Sequence, residues 1–157
     1  MELRDVEDDD LPVLVDQQLD PEANRMAAFA ATDPADRDAF AAKWARIRAD
    51  ETVTMRSIVV DGSVAGSVML WRDEELDAPE VSYWIGTEFW GRGIATAALT
   101  ELLRLVEIRP LYGRAAKDNA GSIRVLEKCG FEPHGEERGY ANARGEEIAE
   151  VVYRLEG

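Results

Sequence analysis

The chain holds one cysteine and one histidine in 157 residues, and each scarcity excludes a kind of chemistry. Cys129 has no partner for an internal disulfide, so burial and hydrogen bonding must hold the fold, as in a reducing compartment. His134 has no companions for a metal site or a Ser-His-Asp relay, and no metal is expected. Long apolar runs are missing, which excludes a membrane-spanning helix. The first residues, Met1-Glu2-Leu3-Arg4-Asp5, show no basic-then-apolar signal, so a cytoplasmic protein with no membrane partner is expected. Positive charge is scarce as well: 18 Lys and Arg face 32 Asp and Glu, a net charge of −14 that argues against nucleic acid as a partner. What is present, 46% hydrophobic and 32% charged residues, suits a single domain over residues 1–157 with a core of ordinary size. Repeats, low-complexity tracts and linkers are absent, and a homodimer is left open.

The charge is unevenly spread. Residues 1–89 hold 8 basic against 21 acidic side chains, residues 90–128 hold 7 against 4, and residues 129–157 hold 3 against 7. The middle segment alone is basic, and Arg92, Lys117, Arg124 and Lys128 are its candidates for meeting an anionic ligand. Such a segment suits a polyanionic ligand, although a solvated helix face produces the same tally.

That segment opens with Tyr83-Trp84-Ile85-Gly86-Thr87-Glu88-Phe89-Trp90-Gly91-Arg92-Gly93-Ile94-Ala95-Thr96, which reads as strand, glycine turn and helix. Ile94, Ala98, Leu102 and Leu105 recur at helical spacing, so the period changes at the glycines. A glycine turn onto a helix start exposes N–H groups and the positive end of the helix dipole, which together favour phosphate. Gly91 and Gly93 would equally serve a tight turn with no ligand. A P-loop is excluded because no Lys follows the second glycine, and a dinucleotide fingerprint fails because Thr96 stands where its third glycine belongs.

Downstream, Asn119-Ala120-Gly121-Ser122-Ile123-Arg124-Val125-Leu126-Glu127-Lys128-Cys129-Gly130-Phe131 reads as a short helix capped at Asn119 or Asp118 and stopped at Gly130. Together the two stretches resemble the GNAT superfamily of N-acetyltransferases. Gly93 and Ala95 match its acyl-CoA turn, Arg/Gln-x-x-Gly-x-Gly/Ala, and Trp90 replaces the Arg or Gln. Trp-Gly-x-Gly-Ile-Ala-Thr, with Asn-x-x-Ser and Leu-Glu-Lys-x-Gly-Phe following in order, is similar to the RimJ/RimL branch. The likeness runs from Leu3-Arg4 to Glu150-Val151-Val152-Tyr153-Arg154-Leu155.

The resemblance implies an α/β (α+β) fold: a mixed, mostly antiparallel sheet of about seven strands, two of them central, parallel and splayed, flanked by about four helices. It implies acetyl-CoA as donor, the strand backbone of Trp84, Ile85 and Gly86 pairing with its pantetheine arm. Its pyrophosphate would rest on Gly91, Arg92, Gly93, Ile94, Ala95 and Thr96. Asn119 would bind the arm as well as cap its helix, and Lys128 would meet the polyanionic end. Met26 and Phe29 fall between the first two helices, where the superfamily walls its acceptor pocket; a loop packing its own apolar side chains is the alternative.

The rest of the chain reads as follows. Residues 2–6 form a strand, residues 11–17 and 36–49 form helices, and residues 20–34 form a mobile-looking connection punctuated by Asp20-Pro21 and Asp33-Pro34. Phe40, Trp44 and Ile47 share a helix face and read as core. Asp61-Gly62 joins residues 52–60 and 63–71 as a hairpin, and an acidic loop at 73–79 precedes a strand from Glu80 to Gly86. A strand at 111–116 follows, and residues 131–140 and 146–155 close the chain as a hairpin turning near Arg144-Gly145.

Acetyl transfer to an amine requires a base, donors for the developing oxyanion and a proton for the departing thiolate. Glu80 is the first choice of base, with Glu74, Glu75 and Asp77 as substitutes; each is otherwise a solvated surface acid. Ser122 shares a helix face with Val125, Leu126 and Cys129 and is the first choice of proton donor, unless it serves only its own helix backbone. Tyr140 offers a second hydroxyl. Cys129 reads as a small buried side chain rather than a covalent acyl carrier. The expected reaction is transfer of acetyl to a primary amine of a small molecule or peptide, with the acidic composition leaning toward a cationic acceptor. A non-catalytic acyl-CoA-binding module that has lost its base is the rival reading.

Overall fold

In the computed structural model, which describes residues 1–27, 37–73, 77–141 and 145–156, seven strands form one sheet. They are β1 (Glu2–Asp5), β2 (Thr54–Val60), β3 (Ser63–Asp73), β4 (Ala78–Ile85), β5 (Leu111–Ala116), β6 (Glu132–Ala141) and β7 (Glu146–Leu155). Their order across the sheet is β1-β2-β3-β4-β5-β7-β6, and β4–β5 is the one parallel pairing. Asp61 and Gly62, with φ of 51° and 81°, make the two-residue turn that fixes the β2–β3 register.

The parallel pair is barely a pair. β4 and β5 share a single bridge, Glu80 opposite Tyr112, whereas β3 and β4 stay in register from Asp73–Ala78 through Gly66–Ile85. Beyond Glu80 the two strands part, as expected of the splayed central strands.

Five α-helices cover the sheet among the described residues: α1 (Asp10–Gln18), α2 (Pro21–Ala27), α3 (Arg37–Ala49), α4 (Ile94–Leu105) and α5 (Ala120–Lys128). That is one more than expected. The extra helix, α2, lies in the stretch read as a connection. Its signals are an Asp20 carboxylate that accepts from the Ala23 N–H at 3.0 Å and a proline at its first position. Seven residues are too few for an apolar period to show.

α4 and α5 pack on one sheet face, burying Ala98, Leu99, Leu102 and Leu126 against Val68, Val81 and Leu111. α1 and α3 pack on the other, burying Leu14, Val15, Phe40 and Trp44 against Met55. Leu105, expected on the buried stripe of α4, is 57% exposed because the helix ends there, and Leu99 is buried instead. Gly130, with φ of 93°, stops α5, and the Phe131 N–H closes back on the Leu126 carbonyl at 3.0 Å.

α1 is tied to the sheet through Asp10, which is only 3% exposed. Its carboxylate accepts two hydrogen bonds from Arg4, at 2.6 and 2.9 Å, and one each at 2.8 Å from the Glu7 N–H and the Ser57 hydroxyl. The Arg4 guanidinium, helped by the Glu7 and Ser57 donors, outweighs burial and holds the Asp10 carboxyl down at about 2. A folded-state value below the unfolded one stabilises the protein above pH 4 and stops doing so as pH falls toward 2. Asp10→Asn should therefore cost roughly 2 kcal/mol in urea denaturation at pH 7, and the gap to the parent should close progressively between pH 4 and pH 2.

Candidate active site

Where β4 and β5 part lies a cleft of about 1180 Å³, lined by residues from both faces of the sheet. β4 presents residues to both of its ends, because side chains alternate along a strand. Glu80, Ser82 and Trp84 share a face with Met69, Trp71 and Ser67, their cross-strand partners on β3, while Val81 packs toward α4 and α5. Trp84 is fixed toward α1 by its indole N–H, which donates to the Gln17 carbonyl at 3.1 Å.

The end toward α4 and α5 is built by the glycine turn. A 3₁₀ turn, Thr87–Phe89, leads into Trp90, whose indole N–H donates to the Ile85 carbonyl at 2.9 Å and ties the turn to the end of β4. Gly91 and Gly93 take φ of 79° and 73°. A Cβ at either would meet nothing within 4 Å, so the left-handed backbone and not crowding requires glycine there. Gly93 is the N-cap of α4, no side chain caps that helix, and its first turn has no acid. Its first N–H groups and positive dipole end therefore face the cleft, which Gly91, Gly93, Ile94, Ala95 and Thr96 line together with Arg124 and Lys128. This donor set fits a phosphate-bearing ligand.

α5 supplies the facing wall. Asn119 caps it, accepting from the Ser122 N–H at 3.2 Å, and donates its own amide to the Met26 carbonyl at 3.2 Å, which brings Met26 to the cleft. Ser122 Oγ lies 2.7 Å from the Tyr83 hydroxyl, which also donates to the Ser122 carbonyl at 3.1 Å. Burial, partly offset by the Ser122 hydrogen bond, pushes the Tyr83 phenol up to about 12, so it stays protonated at neutral pH. Tyr83 reads as a strand former in the sequence; its hydroxyl escapes notice because its partner lies 39 residues away.

Glu80 stands where the two strands still touch. It is 5% exposed and lines the cleft, so it is not a solvated surface acid. The Arg114 guanidinium approaches it at 3.8 Å and reaches toward Glu137 at the same distance. Sequence reasoning missed Arg114, which its strand alone does not distinguish from an ordinary surface arginine.

Several expected site residues lie elsewhere. Tyr140 is 66% exposed on the edge strand β6 and does not line the cleft. The Gly86 N–H donates to the Ala65 carbonyl at 2.8 Å, so Trp84 and Ile85 line the cleft but Gly86 does not. Arg92 stacks over Phe89 at 5.5 Å beside the turn, and Lys117 pairs with Glu136 at 3.0 Å away from it. Asp77, 87% exposed at its carboxylate, binds Arg72 at 2.8 Å. The Cys129 thiol lies 3.7 Å from the Thr96 carbonyl, and burial pushes its pKa up, which suits a packed thiol better than a nucleophile. Phe29, Glu74, Glu75 and Arg144 lie outside the described residues. Among the described residues no helix is long and apolar enough to cross a membrane.

The acetyltransferase (GNAT) domain family matches residues 1–132. YdaF of Bacillus subtilis (strain 168), named as an inferred ribosomal N-acetyltransferase, is 31% identical over 124 residues, covering 76% of this chain and 68% of that protein. Two crystal structures share the fold. The ribosomal-protein-alanine N-acetyltransferase of Brucella melitensis superposes with a TM-score of 0.84 over 100% of both chains at 21% identity. The phosphinothricin acetyltransferase of Sinorhizobium meliloti, in complex with AcCoA, superposes with a TM-score of 0.80 over 99% of this chain and 87% of that one, at 18% identity.

The wall formed by Trp84 and Ile85 depends on Gly66. A Cβ there would stand 2.0 Å from the Trp84 carbonyl oxygen and 3.0 Å from Ile85 Cα, both of them backbone. Gly66→Ala should cost about 1–3 kcal/mol in urea denaturation by forcing β3 and β4 apart. Gly135→Ala, whose Cβ meets nothing within 4 Å, should stay within about 0.5 kcal/mol of the parent.

Proposed function

This chain belongs to the acetyltransferase (GNAT) family, and we propose that it acetylates a primary amine that attacks directly while both substrates are bound. The observation that carries this reading is the cleft itself: an uncapped helix start and a protonated hydroxyl pair at one end, a buried carboxylate at the vertex, and an apolar wall from α3 beyond it. Acetyl-CoA, when bound, supplies an acetyl group activated as a thioester. The N–H groups of Gly91 to Thr96, with Arg124 and Lys128, hold its phosphates, and the β4 backbone at Trp84 and Ile85 orients its arm.

The chain's own residues then manage protons. An amine arriving as ammonium must lose one proton before its lone pair can attack, and the Glu80 carboxylate, directly or through a water, takes it. The nitrogen that has attacked must lose a second proton to become an amide and the departing sulfur needs one, so the Tyr83–Ser122 hydroxyl pair in the cleft wall gives its proton to sulfur and is restored by the one that leaves nitrogen. Because burial keeps Tyr83 protonated, it either donates itself or orders the Ser122 hydroxyl to do so. A non-catalytic acyl-CoA-binding module would not need a sequestered carboxylate lining the cleft at the strand junction.

Thiol release from acetyl-CoA across an amine panel tests the reading, with calorimetry of acetyl-CoA binding as its companion. Glu80→Gln should lower kcat/KM about a hundredfold at pH 7 while binding acetyl-CoA as the parent does. Tyr83→Phe and Ser122→Ala should each lower kcat, and the double variant should lose little more than the worse single one, because the hydroxyls act as a unit. Arg124→Glu with Lys128→Glu should weaken acetyl-CoA binding about tenfold, and less so at high salt. Parent-like turnover in Glu80→Gln would remove that carboxylate from the mechanism.

A further inference from the structure

The end of the cleft toward α3 has its own chemistry. From α3, Phe40, Lys43, Trp44 and Ile47 line the cleft at i, i+3, i+4 and i+7, one face of the helix laid over the sheet. Opposite them the sheet offers Met55, Met69 and Trp71, side chains that share a face through the pairs Met55–Met69 and Trp71–Glu80. The walls are therefore aromatic, thioether and aliphatic. Trp71 is directly across the strand pair from Glu80, close enough for its ring to flank whatever binds that carboxylate.

The chain's large acidic excess is not repeated in this compartment. Among the described residues, this end of the lining carries two acids, Glu80 and Glu150, against two bases, Lys43 and Arg114, while Arg124 and Lys128 lie at the phosphate end. Lys43 sits in the apolar stripe itself, where the second cation of a polyamine or a basic peptide would have to go. That placement runs against the cationic acceptor suggested by composition.

We propose that the acceptor is a primary amine carried on a bulky aromatic or apolar group, its ammonium held between Glu80 and the Trp71 ring and its apolar part lodged against α3. The inference rests on the acetyltransferase reading and narrows its substrate class. An ammonium gains from the carboxylate and from the ring face together, and the apolar group replaces water along the α3 stripe. A free arylalkylamine and a peptide with an aromatic first residue share this chemistry.

The test uses the full chain with phenethylamine, tryptamine, spermidine, and tetrapeptides beginning with Phe or Ala. Both kcat/KM and, in the presence of coenzyme A, equilibrium binding by calorimetry are measured. Phenethylamine or the Phe peptide should exceed spermidine by about tenfold or more in each readout, and which of the two leads identifies the source. Trp71→Ala should raise KM for the aromatic acceptor about tenfold with KM for acetyl-CoA unchanged, and Trp71→Phe should restore most of the loss. Spermidine binding as tightly as every aromatic amine, or Trp71→Ala leaving aromatic KM and affinity untouched, would overturn the proposal. If no amine releases thiol although acetyl-CoA binds, the acetyltransferase reading fails separately, and the binding arm still decides whether the compartment selects aromatic amines.

Discussion

One constraint organises the molecule: β4 and β5 are hydrogen-bonded neighbours at a single position, Glu80 opposite Tyr112. A sheet gains from every ladder bond it makes, so leaving two central strands apart over most of their length is costly unless something else occupies their facing edges. Here the rest of the sheet makes up the loss. β3 holds β4 along its other edge from end to end, and β7 holds β5 from Leu111 to Ala116. Each inner strand is thus braced from outside, and the gap between them persists as a cleft rather than closing as a ladder.

The functional groups follow from that gap. Glu80 is buried because it stands at the vertex, where the strands still touch, yet it meets the cleft because they separate just beyond it. Tyr83, three residues along and on the opposite face, reaches across to α5 and finds Ser122. Successive residues of one strand therefore serve opposite ends of one cleft: Glu80, with Trp71 beside it, looks toward α3, and Tyr83 looks toward the helix that faces the glycine turn.

Short-range signals in the sequence were dependable. Asp61-Gly62 fixed a hairpin, Gly130 ended a helix, Asn119 capped one, and the change of period after Gly93 placed the start of α4. Each needs only local backbone geometry. The failures share a different cause. α2 escapes notice because seven residues carry no period, and Leu105 fits the helical spacing yet is exposed because periodicity does not say where a helix stops being covered. Tyr140 and Lys117 had suitable chemistry in suitable segments, but β6 lies at the sheet edge and carries Tyr140 into solvent, and Glu136 draws Lys117 away from the cleft.

The sequence by itself determined the family, the glycine turn and the order of the seven strands and of every helix but α2, because these rest on residue types at fixed spacing along one chain. The tertiary structure alone decided which side chains meet: Tyr83 with Ser122, Arg114 with Glu80, Trp71 across from Glu80, Asp10 with Arg4 and Ser57. Those pairs depend on strand register and helix placement, where a shift of one residue turns a side chain to the other face. It also decided where the charge goes. Despite a net charge of −14, the described residues that line the cleft include more bases than acids, because what a ligand meets is the local lining and not the total.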